Sequence, residues 1–189
     1  MFYRVEVKDH VRVSPKLFDE KIEDAVTECI RSKYEGFISP EWGFVIDVSK
    51  VNDIREGVVI AGDGAAYYET NFQLLTFKPE LQEIVIGNIK DIADFGAFIT
   101  LGPIEGMIHV SQTMDDFVSF SKEKVLVGKE NKRSLKINDD CKARIIAVSF
   151  KDLSNPKIGL TMRQGCLGKL DWINEDLNKD KAKTAPKKK

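Results

Sequence analysis

Cysteine is scarce and scattered: Cys29, Cys141 and Cys166 are the three thiols in 189 residues. No two lie at a paired metal-ligand spacing, and the two histidines, His10 and His109, are far apart in sequence. Neither a zinc site nor a disulfide framework is expected, and the thiols read as plain reduced side chains. Long apolar runs are missing as well. Without a stretch of about 18 apolar residues, no transmembrane helix is expected. The opening residues Met1-Phe2-Tyr3-Arg4-Val5-Glu6-Val7-Lys8 alternate in type and lack the apolar block of a signal peptide. These absences point to the cytoplasm. Nor is there an excess of charge, since the chain carries a formal net charge of −1. Residues 1–79 hold 10 basic and 14 acidic side chains, residues 80–166 hold 12 of each, and residues 167–189 hold 7 and 4. Affinity for nucleic acid follows the number of phosphates neutralised. A neutral middle region therefore predicts weak, salt-sensitive RNA binding by the isolated chain.

What is present divides into two halves. The apolar share of 42% can build real cores, and the length suits one or two domains at roughly 100–200 residues each. Phe2 to Val13 alternates as a strand, with Tyr3, Val5 and Val7 set against Arg4, Glu6 and Lys8. Ser14 and Pro15 open a helix. Its apolar stripe runs Leu17, Phe18, Ile22, Ala25, Val26, Cys29 and Ile30, with Asp19, Glu20, Glu23 and Glu28 toward solvent and Gly36 as the stop. Strand-like runs follow at Phe44–Val48, Val51–Ile54, Gly57–Ile60 and Phe72–Phe77, with a turn at Gly62-Asp63-Gly64. Residues 1–79 thus read as a small α+β domain. Residues 80–166 read as all strands, at 83–92, 95–101, 107–110, 142–150 and 157–162, with a polar connection over 115–138 and glycine at the corners. That spacing suits a small five-stranded barrel. Residues 167–189 form a C-terminal segment with a short helical turn at Leu170-Asp171-Trp172-Ile173 and a disordered lysine-rich tail from Lys179.

The most informative stretch runs from Gly87 through Asp94-Phe95-Gly96-Ala97-Phe98-Ile99 to Gly106-Met107-Ile108-His109-Val110-Ser111. Two aromatics flank a tight glycine, and alternation puts at least one of them on the outer face, where it can stack on a base. Phe95 reads as exposed. Phe98 reads equally as core or as base-facing, and His109 as a stacking or phosphate contact or a satisfied surface histidine. The stretch resembles the RNA-binding OB module named after ribosomal protein S-one, over about residues 80–164. That resemblance implies an RNA-facing surface of Phe95, Phe98 and His109. Lys157 falls where the module carries a basic residue, whereas Ser149 stands where it usually has an aspartate.

The whole chain resembles the family of the archaeal RNA polymerase E-prime subunit, counterpart of the seventh subunit of eukaryotic polymerases. The segments that carry this are Tyr34-Glu35-Gly36, Gly43-Phe44-Val45, Gly62-Asp63-Gly64-Ala65-Ala66-Tyr67, Phe77-Lys78-Pro79, His109-Val110-Ser111-Gln112, Leu160-Thr161-Met162-Arg163-Gln164 and Leu167-Gly168-Lys169-Leu170. The resemblance implies a truncated RNP-like α+β N-terminal domain followed by an OB-fold barrel. It also implies a stalk protein that pairs with the polymerase's F subunit, docks on the polymerase core, binds nascent single-stranded RNA and supports initiation. Gly62, Asp63, Gly64, Ala65 and Tyr67 match the family's docking tip, and the Asp63 carboxylate could meet a basic residue of the partner. Read without the family, the same turn is an ordinary hairpin. Trp172 reads as an interface anchor or as a cap on the barrel.

No active site assembles from these residues. Asp115-Asp116 and Asp139-Asp140 are adjacent carboxylates in expected loops, and such pairs belong to solvated turns rather than to a converging metal site. No catalytic residue, metal or cofactor is expected, and catalysis is left to larger subunits. The reading from another class is a free-standing RNA-binding translation or RNA-processing factor, for which residues 1–79 supply no carboxylate cluster.

Overall fold

The computed structural model describes residues 1–121, 123–152 and 156–184, with side chains described as far as residue 179. It divides into two compact units, Met1–Lys78 and Pro79–Lys189.

In the first unit β1 (Phe2–Val13) leads into a 3-10 turn (Pro15–Leu17), then α1 (Ile22–Tyr34), β2 (Ile38–Ser39), β3 (Gly43–Val59) and β4 (Ala66–Phe77). The sheet order is β1-β4-β3-β2, antiparallel throughout. One face of the sheet packs under α1, where Ala25, Val26 and Ile30 meet Val11, Val13, Val45, Val48, Phe72 and Leu74. The other face carries Arg4, Glu6, Lys8, His10 and Arg12, all exposed. The single helix expected from Pro15 onward is two pieces. Pro15–Leu17 closes only a 3-10 turn, and the α-helix starts after Lys21, which makes no side-chain cap. Glu23 and Asp24 instead place negative charge at the helix's positive end. Phe18 and Ile22 consequently fall off the buried stripe and stand exposed.

The two runs expected between Phe44 and Ile60, Phe44–Val48 leading into Val51–Ile54 and then Gly57–Ile60, are one strand of 17 residues, Gly43–Val59. Its register against β4 slips four times, at Val45/Asp47, Val48/Lys50, Val51/Asp53 and Ile54/Gly57. Each slip inserts an extra residue, so β3 advances three residues while β4 advances two. Val45, Val48, Val51 and Ile54, three apart in sequence, therefore face the same core opposite Thr76, Leu74, Phe72 and Thr70.

The second unit contains β5 (Ile84–Ala93), β6 (Gly96–Thr100), β7 (Glu105–His109), β8 (Val118–Ser121), β9 (Val125–Gly128), β10 (Ser134–Leu135), β11 (Asp140–Ser149), β12 (Lys157–Thr161), β13 (Gly168–Lys169) and α2 (Leu170–Thr184). Strand pairing runs β12-β7-β6-β5-β11, and β11 pairs again with β12, closing a five-stranded barrel of OB type. β7 and β12 are its parallel pair. Ile89, Ala97, Ile99, Ile108, Ala143, Ile145 and Leu160 are buried, with outward residues between them along each strand. The connection expected as a polar loop over 115–138 is a small sheet, β8-β9-β10, with Leu126 and Leu135 buried. Strands of two to four residues offer too few alternations to register in a charged stretch.

The C-terminal turn is longer than expected, 15 residues of helix reaching Thr184, which includes the first part of the stretch expected to be disordered. Residues 185–189 lie outside the described residues. Trp172 is buried within its own unit, against Gly168, with the Arg133 guanidinium 5.6 Å from its ring centre. It caps the barrel.

Candidate nucleic-acid interface

Alternation along β6 and β7 settles which side chains reach the outer wall of the barrel. Ala97 and Ile99 point inward and are fully buried, so Phe98 between them points out. On β7, Gly106 and Ile108 are inward, which leaves Glu105, Met107 and His109 outward. Register brings Phe98 opposite Met107, and Gly96 opposite His109. A side chain at position 96 would collide with the Ile108 carbonyl, so only glycine lets β7 approach this closely. Phe95, at the turn just before β6, is 48% exposed and meets Phe98 edge-to-face, with ring centres 5.9 Å apart. Phe98 is thus a half-buried side chain of the outer face rather than a core residue.

His109 is oriented by its neighbour. The Ser111 amide donates to Nδ1 at 3.3 Å, and the Ser111 Oγ lies 2.9 Å from the same nitrogen. In the neutral ring this arrangement keeps the proton on Nε2, a donor turned outward. β12 continues the wall beside β7, and Gly159 opposite Met107 leaves a strip without side chain there. Lys157 lies two residues further toward the Glu105 end, exposed. His109 therefore lies at one end of this wall and Phe98 two residues in from it. Lys157 sits at the other end, level with Glu105 and about 13 Å from His109 along the strand direction by strand rise.

Charge on this wall is mostly cancelled. Lys90 pairs with Glu105, and Asp91, across from Phe98, is held by Lys124 at 2.7 Å. That Lys124 contact, with the Ile92 amide, keeps the Asp91 carboxyl below its ordinary range. Lys157 differs. Its cross-strand partner is Ser149, and among the described residues no carboxylate pairs with it. Sequence reasoning missed Met107, Gly159 and the Lys124–Asp91 pair. The alternation Gly106-Met107-Ile108-His109 already placed Met107 beside His109, whereas Lys124 lies 33 residues from Asp91 and leaves no local signal.

The turn between β3 and β4 falls at Gly62-Asp63-Gly64, as expected. Gly62 and Gly64 have φ of +97° and +70°, a region that disfavours other residues. Between them, Asp63 does not present a free carboxylate. Arg12 grips it with two hydrogen bonds, Nε to Oδ2 at 3.0 Å and Nη2 to Oδ1 at 2.6 Å, and the Tyr67 hydroxyl donates to Oδ2 at 2.5 Å. The Arg12 hydrogen bonds, then Tyr67, hold the Asp63 carboxyl down to about 2. The charge expected to meet a partner is engaged within the chain. Ala65, also expected at the contact surface, is fully buried and supports the turn from beneath.

The adjacent carboxylates are turn caps. Asp116 accepts backbone N–H groups from Phe117, Glu130 and Asn131, which together lower its pKa, Asn131 most. Asp115 pairs with Arg163. Asp139 accepts the Lys136 amide and pairs with Lys169, and Asp140 accepts from Asn88. Among the described residues no group of three or more candidate ligands could hold a metal ion.

Comparison with known proteins assigns both units. Residues 8–64 match the SHS2 domain found in N terminus of Rpb7p/Rpc25p/MJ0397, and residues 78–151 match the S1 RNA binding domain. DNA-directed RNA polymerase subunit Rpo7 of Sulfolobus acidocaldarius is 32% identical over 180 residues, covering 95% of this chain and 98% of its own. Subunit Rpo7 of Saccharolobus solfataricus is 32% identical over 177 residues, 93% of this chain and 98% of its own. DNA-directed RNA polymerase III subunit RPC8 of Bos taurus is 27% identical over 161 residues, 82% and 79% of the two chains. An SHS2 unit followed by an S1 barrel, matched along nearly the full length of these relatives, makes this chain a member of the Rpo7 family of DNA-directed RNA polymerase subunits.

Proposed function

We propose that this subunit is the non-catalytic stalk of the polymerase. Its first unit docks on the core enzyme near the clamp, it pairs with the polymerase's F subunit, and its barrel holds emerging single-stranded RNA during initiation and after. The observation that carries the RNA half is the outward set Phe95, Phe98, Met107 and His109 on an S1 barrel, with Lys157 further along the same wall and unpaired among the described residues. Exposed aromatics bind bases without regard to sequence, at about 1–3 kcal/mol per stacked base. The polar outer face of the first unit's sheet has Lys8 and Arg55 paired to Glu69, and Gln73 donating to Glu6. A face of that kind is suited to solvent, which leaves stacking to the barrel.

Phe95→Ala combined with His109→Ala is expected to cut RNA cross-linking by about tenfold or more, from one lost stack, while assembly with the core persists. Unchanged cross-linking would remove both residues from the RNA path. Docking is tested by a tagged pull-down from native cells. Recovery of the large polymerase subunits and one small partner supports the stalk. Recovery of ribosomal or RNA-processing components alone supports a free-standing RNA-binding factor instead. Any influence on the clamp needs a contact that differs between clamp states, so it is expected only in the docked enzyme.

A further inference from the structure

The displaced start of α1 opens a groove that the docking turn does not use. Phe18 and Ile22, 50% and 53% exposed, face Val59, 64% exposed, across a cleft of about 320 Å³. Leu17, Ala66 and Tyr68 complete its walls, and the buried Val13 and Ala25 lie at its floor. Clefts for small ligands run about 300–1,000 Å³ and carry convergent polar groups. This one sits at the lower limit and is lined mainly by apolar side chains, with Glu20 and Tyr68 as its polar members, which suits a protein side chain rather than a cofactor.

The rim says what kind of protein. Glu20 borders the cleft itself. Ile22, Val59 and Tyr68 are shared with a neighbouring groove along β3, whose lining adds Glu23, Asp24, Asp53 and Glu56. Among the described residues Asp53 is the one of these carboxylates in an ion pair, with Arg55, which lines the same groove and also pairs with Glu69. Glu20, Glu23, Asp24 and Glu56 have no ion-pair partner among the described residues. Glu23 and Asp24 suit the first turn of a helix on their own account. Glu20 stands just before the N-cap of that helix, whereas Glu56 belongs to β3 and has no helix end to complement. An apolar cleft bordered by Glu20, beside a groove in which four carboxylates outnumber the single cation Arg55, matches a cationic segment bearing an apolar anchor.

We infer that the cleft between Phe18, Ile22 and Val59 receives an aliphatic or aromatic side chain of a lysine- or arginine-rich segment of the polymerase core. The inference rests on the docking reading above and locates its energetic centre. The clasped Asp63 turn then shapes the end of the hairpin, while the neighbouring cleft makes the contact.

The test titrates the full-length chain, labelled away from the first unit, against core polymerase purified without this subunit, at two salt concentrations. Phe18→Ser with Val59→Ser is expected to weaken core binding about tenfold or more, as truncated anchors do. Glu20→Gln with Glu56→Gln is expected to weaken it at low salt and flatten its salt dependence. Both pairs should bind a single-stranded RNA oligonucleotide as the parent does, which also reports that the chain is folded. Because all four side chains are exposed, an unchanged denaturation midpoint is expected as well. If the parent binds core and both pairs bind equally well at both salts, the cleft is not the contact and only this inference fails. If the parent itself does not bind core, the docking reading falls and this inference with it. Self-association of the parent that Phe18→Ser with Val59→Ser abolishes, with core binding unchanged, would assign the cleft to a second copy of the chain and overturn the inference.

Discussion

Ser149 faces Lys157 across β11 and β12, at the position where the S1-type module usually carries an aspartate. Among the described residues no carboxylate pairs with Lys157, and on the proposed reading it meets a phosphate. Ser149→Asp is therefore expected to weaken RNA binding and to lower its salt dependence, measured by titration at several salt concentrations. Asp63 shows the opposite case, a charge legible in the sequence whose partner was not. Arg12 lies 51 residues away, and only strand register brings the two together. Its carboxyl is depressed in the folded chain, from 3.8 to about 2. A group of that kind contributes stabilisation that is complete above its ordinary range and disappears as pH falls through its folded value. The Tyr67 and Arg12 resonances of the turn are expected to stay constant down to about pH 4 and to shift as pH approaches 2, with Asp63→Asn eliminating the shift. Phe98 was ambiguous because alternation fixes two faces without saying which is outside. The buried Ala97 and Ile99 decide it.

Individual elements were legible where one period ran undisturbed. β1 alternates throughout, and the barrel strands alternate over most of their length, with one register shift each in β5 and β11, so their ends lie close to where the sequence puts them. α1 and β3 were harder, for related reasons. In α1 the apolar residues from Leu17 fit a helical stripe, yet Pro15 and the following turn spend them before the helix begins. The prediction that separates the two readings is quantitative. Ile30→Ala should cost about 2–5 kcal/mol, as buried aliphatic truncations do, whereas Ile22→Ala should stay within about 0.5 kcal/mol, both by chemical denaturation. In β3 the spacing of Val45, Val48, Val51 and Ile54 is three, which resembles neither a strand nor a clean helix. Repeated bulges convert that spacing into one face. No short-range rule reports them, because they are defined only against β4.

For the molecule as a whole, the order of an α+β unit and an OB barrel was written into motif and composition, and the family assignment follows that order. The near-neutral barrel also predicts its own salt behaviour. Lys157→Ala should reduce the slope of log affinity against log salt by about 0.7, the value for one phosphate contact on a single strand, while core assembly is unaltered. The sheet of the first unit carries a further consequence. Its two long borders, β1 and the part of β3 beyond β2, have unpaired backbone edges among the described residues, the kind of template on which strands of other molecules can add. Neither is inviting. An incoming regular strand cannot keep step with β3, whose extra residues break the two-residue repeat every third position. On β1, Asp9 is an inward-pointing charge on the helix-covered face, tied to Lys33 and to the Tyr34 hydroxyl, one of the devices that blunt an edge strand. The same bulges that hid β3 from the sequence thus guard a newly made subunit against misdirected, amyloid-like stacking before it reaches the polymerase.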